Sequence, residues 1–140
     1  MKQQPDDILL AKYSIEKSEK ALNTGIKNLE IDLQISQNRA YYAVFYVVLA
    51  LGYLDGFKTG KHHQLMGWFN KKYIYKEKIF TPELSKIYSR LIIDRDNFDY
   101  TVSAEPQKED VLRNLENAKI FIEKVKPYVL NRIEQAKKES

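Results

Sequence analysis

The chain has 140 residues, of which 44% are hydrophobic and 30% charged, with a net charge of +4. That is one domain by length, with apolar content enough for a core, and it excludes an intrinsically disordered protein. Cysteine is absent, which excludes disulfides, thiolate metal sites and cysteine nucleophiles. No run approaches the ~18 apolar residues of a membrane span, and residues 1–7 carry no signal-peptide pattern, so a cytoplasmic protein with no membrane contact is expected.

Helical periodicity starts at once. Ile8, Ile15, Leu22 and Leu29 recur every seven residues, and Ala11, Ser18 and Gly25 follow the first three by three positions. Large and small residues alternating along one seam predict a helix over 6–30 with a close neighbour on the small-residue row. Gly25 would cost about 1 kcal/mol relative to Ala inside a helix, a cost that a close helix crossing explains.

Asp32 or Ser36 is the expected N-cap of a second helix ending near Leu54. It is apolar on nearly every side, from Ala40 and Tyr41 through Phe45 to Leu51, as a central helix must be. Gly52 and Asp55-Gly56 mark its end. After a connection over 57–61, a third helix is predicted over 62–75. Thr81-Pro82 is a helix start, a threonine cap followed by proline at the first position. The fourth helix carries Leu84, Ile87, Tyr88, Leu91, Ile92 and Phe98 and ends near Val102. The fifth starts near Lys108, with Pro127 predicted to kink or end it and a tail over 135–140 expected to fray. The predicted fold is all-α: a single domain over 1–140, an up-and-down bundle of four to five helices.

Charge is uneven. Residues 58–78 hold six lysines and one glutamate, which favours a local anionic contact over a uniformly basic surface, with a solvated lysine-rich connection as the plain reading. No glycine-rich phosphate loop or dinucleotide fingerprint is present, so no cofactor is expected. His62 and His63 are neighbours, pointing ~100° apart on a helix, and cannot form the i, i+4 pair of a zinc helix, so no metal is expected. Each reads most plainly as an exposed or capping residue.

The chemistry-bearing segment is Arg95-Asp96-Asn97-Phe98-Asp99-Tyr100. Arg95 and Asp99 are i, i+4 and share a helix face, and an ordinary intrahelical ion pair would account for them. Base before acid is, however, the weaker orientation, and such a pair contributes only a few tenths of a kcal/mol. Arg90 and Asp94 repeat the spacing. Arg39, at the start of the most apolar helix, needs a partner, since an isolated buried charge is very costly. Asp94, Asp96 and Asp99 are the candidates. Tyr41 and Tyr42 read as core residues with hydrogen-bonded hydroxyls.

Asn38-Arg39-Ala40-Tyr41-Tyr42-Ala43-Val44-Phe45 resembles the second-helix signature of small prokaryotic HEPN-domain proteins. Lys61-His62 is similar to the lysine-histidine turn that follows in that branch, and Arg95, Asp99 and Tyr100 match its Arg-x-x-x-Asp-Tyr spacing. The resemblance covers residues 14–128. It implies a helical bundle that forms homodimers, with the arginine motif projecting into a groove between protomers. It implies RNA or nucleotide binding, or partnership with a minimal nucleotidyltransferase in a toxin–antitoxin or related regulatory system. In the ribonuclease members a histidine follows the arginine by four to six residues. Here Asp99 stands in that place, and a carboxylate of ordinary pKa is a weak base that repels phosphate. A non-catalytic or weakly catalytic binding module is therefore expected, with a metal-independent endoribonuclease using Arg95, Asp99 and Tyr100 as the alternative and a purely structural interaction protein as the third reading. Arg95 is the expected anion contact, organised by Asp99 and Tyr100. Arg39 and Tyr42 support it, and Lys58, Lys61 and His62 are secondary phosphate contacts.

Overall fold

Residues 5–100 and 105–139 are described by the computed structural model, the side chains of Pro5, Asp99 and Tyr100 excepted. Five helices follow in order: α1 (Pro5–Lys27), α2 (Leu33–Asp55), α3 (His62–Phe69, continued as a π-helix over Asn70–Lys76), α4 (Pro82–Tyr100) and α5 (Lys108–Glu139). No strand occurs among the described residues. The all-α bundle predicted from periodicity is the architecture found.

The alternating seam of α1 works as its composition requires. Ala11 and Ser18 are almost completely buried, and Ile15 packs into the core. The Ser18 hydroxyl donates to the Ala43 carbonyl at 2.6 Å, and Ser36 returns a bond from α2 to the Gly25 carbonyl at 2.6 Å. A Cβ at Gly25 would meet Leu115 at 2.9 Å and the Ser36 carbonyl at 3.2 Å. The absent side chain thus lets α1, α2 and α5 meet at one point.

Asp32 is the cap of α2, its carboxylate accepting from the Gln34 and Ile35 amides at 3.0 and 3.1 Å. Gly56, in the left-handed region at φ 78°, ends the helix by returning its amide to the Gly52 carbonyl, a conformation that suits glycine. Between these caps α2 buries residues on all sides and packs on α1, α5, α4 and α3. It is the spine of the domain.

The third helix differs from expectation. Its last turn, Asn70–Lys76, is π rather than α. There the adjacent Lys72 and Tyr73 both reach the Asp55 carboxylate, at 3.1 and 2.5 Å, and Arg132 of α5 closes on the same group at 2.7 Å. Pro127 does not end α5, which continues to Glu139 through the residues expected as a tail. Pro127 is exposed while Val125, Val129 and Ile133 are buried. Their burial holds the register, and water can serve the carbonyl that proline leaves without a donor.

Beyond its buried apolar face, α4 is tied to its neighbours by polar contacts. The Asn114 amide donates to Gln37 of α2 at 2.8 Å and to Asp94 of α4 at 2.9 Å. Gln34 adds a bond to the Phe98 carbonyl at 3.3 Å. The C-terminal end of α4 is thereby held beside the N-terminal half of α2.

Candidate functional site

Arg95 follows the buried Leu91 and Ile92 by one helical turn, so the face of α4 that enters the core carries the guanidinium to its rim. Its side chain is only 13% exposed. The guanidinium lies over the rings of Tyr41, at 5.4 Å, and Tyr42, at 5.9 Å, and donates to Asp96 at 3.2 Å. Arg39 reaches the same place from α2, its guanidinium 4.8 Å from the centre of the Tyr42 ring. Arg39 donates to Asn38 at 2.7 and 3.0 Å. The expected Arg39–aspartate tie is not formed with Asp94 or Asp96. Asp94 is held by Asn114 and Arg90, and Asp96 by Arg95 and His63. Two guanidinium groups thus approach one tyrosine, and beside it Arg39, Asn38, Asp32, Gln34 and Ile35 line a surface hollow of about 410 Å³.

The sequence leaves His62 as a secondary phosphate contact, with an exposed or capping residue as its plain reading. The connection after α2 brings it back against Tyr41 and Phe45. Its ring stacks on Phe45 at 4.5 Å and 16°, and on Tyr41 at 5.5 Å and 27°, with its edge toward Tyr42 at 5.6 Å. Its Nδ1 lies 2.6 Å from the Tyr41 hydroxyl. Burial, and then the positive charge of Arg95, hold the imidazole below the usual histidine pKa, with Asp96 opposing in part. Tyr41 is fully buried, and burial pushes its hydroxyl well above the usual phenol range against the opposing pull of Arg95. It is therefore a neutral hydrogen-bonding group. His63 points to α4 instead, with Nε2 2.9 Å from Asp96.

The lysines divide. Lys61 is exposed and immediately precedes His62, at the start of α3. Lys58 is paired with Asp7 of α1 at 2.8 Å, near the opposite end of α2. Lys72 is paired with Asp55 and Glu77. Asp99 and Tyr100 complete α4 by backbone, but their side chains lie outside the described residues. Among the described residues, no group of three or more histidine or carboxylate side chains is placed to hold a metal ion, and no helix is long and apolar enough to cross a membrane.

Sequence reasoning missed the parts played by His63 and Asp96, whereas Tyr41 is the core residue with a hydrogen-bonded hydroxyl that was expected, His62 being its partner. The aromatic run at 41, 42, 45 and 46 was visible, but nothing in it shows that His62, 21 positions after Tyr41, folds back onto it.

A model of the HEPN domain family matches residues 11–128. A UPF0332 protein from Thermotoga maritima is 31% identical over 97 residues, covering 69% of this chain and 73% of its own length. A protein named Putative toxin MJ0142, from Methanocaldococcus jannaschii, is 31% identical over 121 residues, covering 84% of this chain and 80% of its own length.

Proposed function

Because the chain belongs to the HEPN domain family, we propose that it is a toxin-type regulatory module that binds RNA or a nucleotide at the Arg95 site. One juxtaposition supports this most: Arg95 and Arg39 converge on Tyr42, with His62 at its edge. Guanidinium groups offer paired donors that match phosphate oxygens. Tyr42, half-buried, lies against both guanidinium groups and holds them together. The toxin part of the reading is supported by the archaeal relative's name. In this reading the chain works as a homodimer, with a minimal nucleotidyltransferase as its protein partner, and Asp99 and Tyr100 complete the site around Arg95.

The test is fluorescence anisotropy of labelled single-stranded RNA, with mononucleotides as competitors, across a salt series. Phosphate contacts release counterions, so affinity must fall as salt rises. Arg95→Ala is expected to weaken binding about 10-fold or more, since a charge-assisted bond contributes ~1.5–3 kcal/mol. Absent or salt-insensitive binding would instead favour a purely structural interaction protein.

A further inference from the structure

The turn that leads from α3 into α4 carries a surface with no part in the Arg95 site. It lies at the start of α4, about 20 Å along that helix from Arg95 at ~1.5 Å per residue. Ile74, Ile79, Phe80 and Pro82 give a hollow of about 300 Å³ its apolar lining, and Tyr75 and Lys78 stand in its wall. Tyr75 is 62% exposed and Ile79 37%, apolar surface that the fold itself leaves uncovered. With the i→i+5 bonds of a π turn, residues four and five apart lie on one side. Lys71, Tyr75 and Lys76, all exposed, therefore face out together. Of the acids in this stretch, Glu77 faces Lys72 at 3.8 Å and Glu83 stands in the first turn of α4. Lys71, Lys76 and Lys78 form no ion pair among the described residues, so positive charge is in excess around the hollow.

The backbone adds an independent sign. Lys78, at φ 52°, is the one non-glycine residue at positive φ among the described residues. The turn requires that conformation: the Ile79 and Phe80 amides return to the Tyr73 carbonyl at 2.9 and 3.1 Å, a helix ending that favours glycine. Lysine is strained there where glycine is not. What lysine adds over glycine is a charged side chain in the wall of the hollow, and strain retained at such a place points to use of that side chain.

We propose that this surface docks an acidic protein segment that presents one large apolar side chain. That side chain enters the hollow against Ile74, Ile79, Phe80 and Pro82, with Tyr75 beside it. Flanking carboxylates meet Lys71, Lys76 and Lys78. Charge complementarity selects an acidic partner, steering it to the surface and rejecting basic segments. The hollow selects a side chain over a phosphate backbone: its lining is apolar, and its cations are lysines, without the guanidinium forks that grip phosphate in pairs. A bilayer is met by apolar side chains that protrude from a helix face, not by a recess. Lys72 and Tyr73 hold the π turn to Asp55 at 3.1 and 2.5 Å, so the surface is set before a partner arrives and docking orders little of it. Docking here needs neither RNA nor Arg95.

The experiment titrates the full chain into a fluorescein-labelled peptide of glutamates and aspartates around one central tryptophan, read by anisotropy. Saturable binding is expected at low salt, weakening as screening grows. A peptide with alanine for the tryptophan is expected to bind about 10-fold more weakly, as loss of an anchor in a pocket does. A peptide with lysines for the acids is expected not to bind. Lys71→Gln, Lys76→Gln and Lys78→Gln combined are expected to lower the affinity about 10-fold, and Tyr75→Ala by a similar factor with an unchanged urea midpoint. Arg95→Ala is expected to leave peptide affinity as it is, which separates this surface from the RNA site. Lys78→Gly is expected to move two readouts in opposite senses: a higher urea midpoint, because the strain is relieved, and a peptide affinity about 3-fold lower. Absence of saturable binding at millimolar protein would overturn the proposal, as would equal affinity of the triple lysine variant. Single-stranded RNA or phosphatidylserine vesicles bound through these three lysines in place of the peptide would overturn it too. A Lys78→Gly protein no more stable than wild type would remove the strain that marks Lys78.

Discussion

Removing the Asp55 carboxylate should be among the most damaging single changes in this protein, although it lies away from the Arg95 site. The Asp55 side chain is 6% exposed and faces Arg132 at 2.7 Å, Lys72 at 3.1 Å and the Tyr73 hydroxyl at 2.5 Å. Burial, and then the bond to Asp55, push the Tyr73 hydroxyl far above the usual phenol range, so it stays a donor. Asp55→Ala leaves two cations facing each other's field and a buried hydroxyl hydrogen with no acceptor. Breaking a buried pair by deleting one partner costs roughly 3–5 kcal/mol. Arg132 and Lys72 keep 24% and 34% exposure, so water relieves part of that, and the low end, ~3 kcal/mol, is expected. Losing the acceptor for Tyr73 adds about 1 kcal/mol. A total of ~4 kcal/mol is a large fraction of the ~5–15 kcal/mol that holds a domain of this size together. Urea unfolding followed by circular dichroism measures it. Asp55→Asn, which keeps an acceptor and loses the charge, should cost about half as much. If Asp55→Ala lies within ~1 kcal/mol of wild type, the carboxylate does not hold the π turn to α2 and α5, and the reasoning fails.

Three further outcomes are expected. Gly25→Ala should be nearly neutral, because ~1 kcal/mol of helix propensity is gained while the new Cβ presses on Leu115 and the Ser36 carbonyl. Gly25→Val should cost ~2–3 kcal/mol by overpacking, measured by the same unfolding assay, and an unchanged Gly25→Val would contradict the close crossing. The imidazole of His62 has a folded-state pKa below its ordinary 6.5, so the unfolded chain binds the proton first as pH falls. Its stability contribution is therefore complete above that value, is lost on acidification below it, and levels off beneath the folded pKa. Urea midpoints from pH 8 to pH 5 should show a slope that His62→Gln reduces; equal slopes would mean that His62 titrates as it does in the unfolded chain. Arg39→Ala should weaken RNA binding about 10-fold, whereas Lys58→Ala, at the far end of α2, should leave it unchanged in anisotropy titrations. The reverse order would move the site.

Local signals carried the elements and the order of the bundle. Heptad spacing located α1, Asp32 and Gly56 bounded α2, and Thr81-Pro82 opened α4, because caps and periodicity are properties of neighbouring residues. Even the close crossing at Gly25 was legible, since a row of small residues has few other uses. Whether Pro127 ends α5 was not legible, because the cost of one lost backbone bond is set against burial of Val125, Val129 and Ile133 that only packing reveals. Arg95 was legible as a marked residue, but its partners were not. Asp96, one of three candidate partners for Arg39, is held by Arg95 and His63.

What the sequence determined by itself was an all-helical chain with an arginine motif at the end of α4, because those features depend on residues within a few turns of one another. What only the tertiary structure decided was the company that motif keeps. Whether His62 faces solvent or lies against Tyr41 and Phe45 depends on how the connection after α2 runs back along it. Contacts across 21 or 33 positions are chosen by the packing of whole helices, and no local rule encodes them.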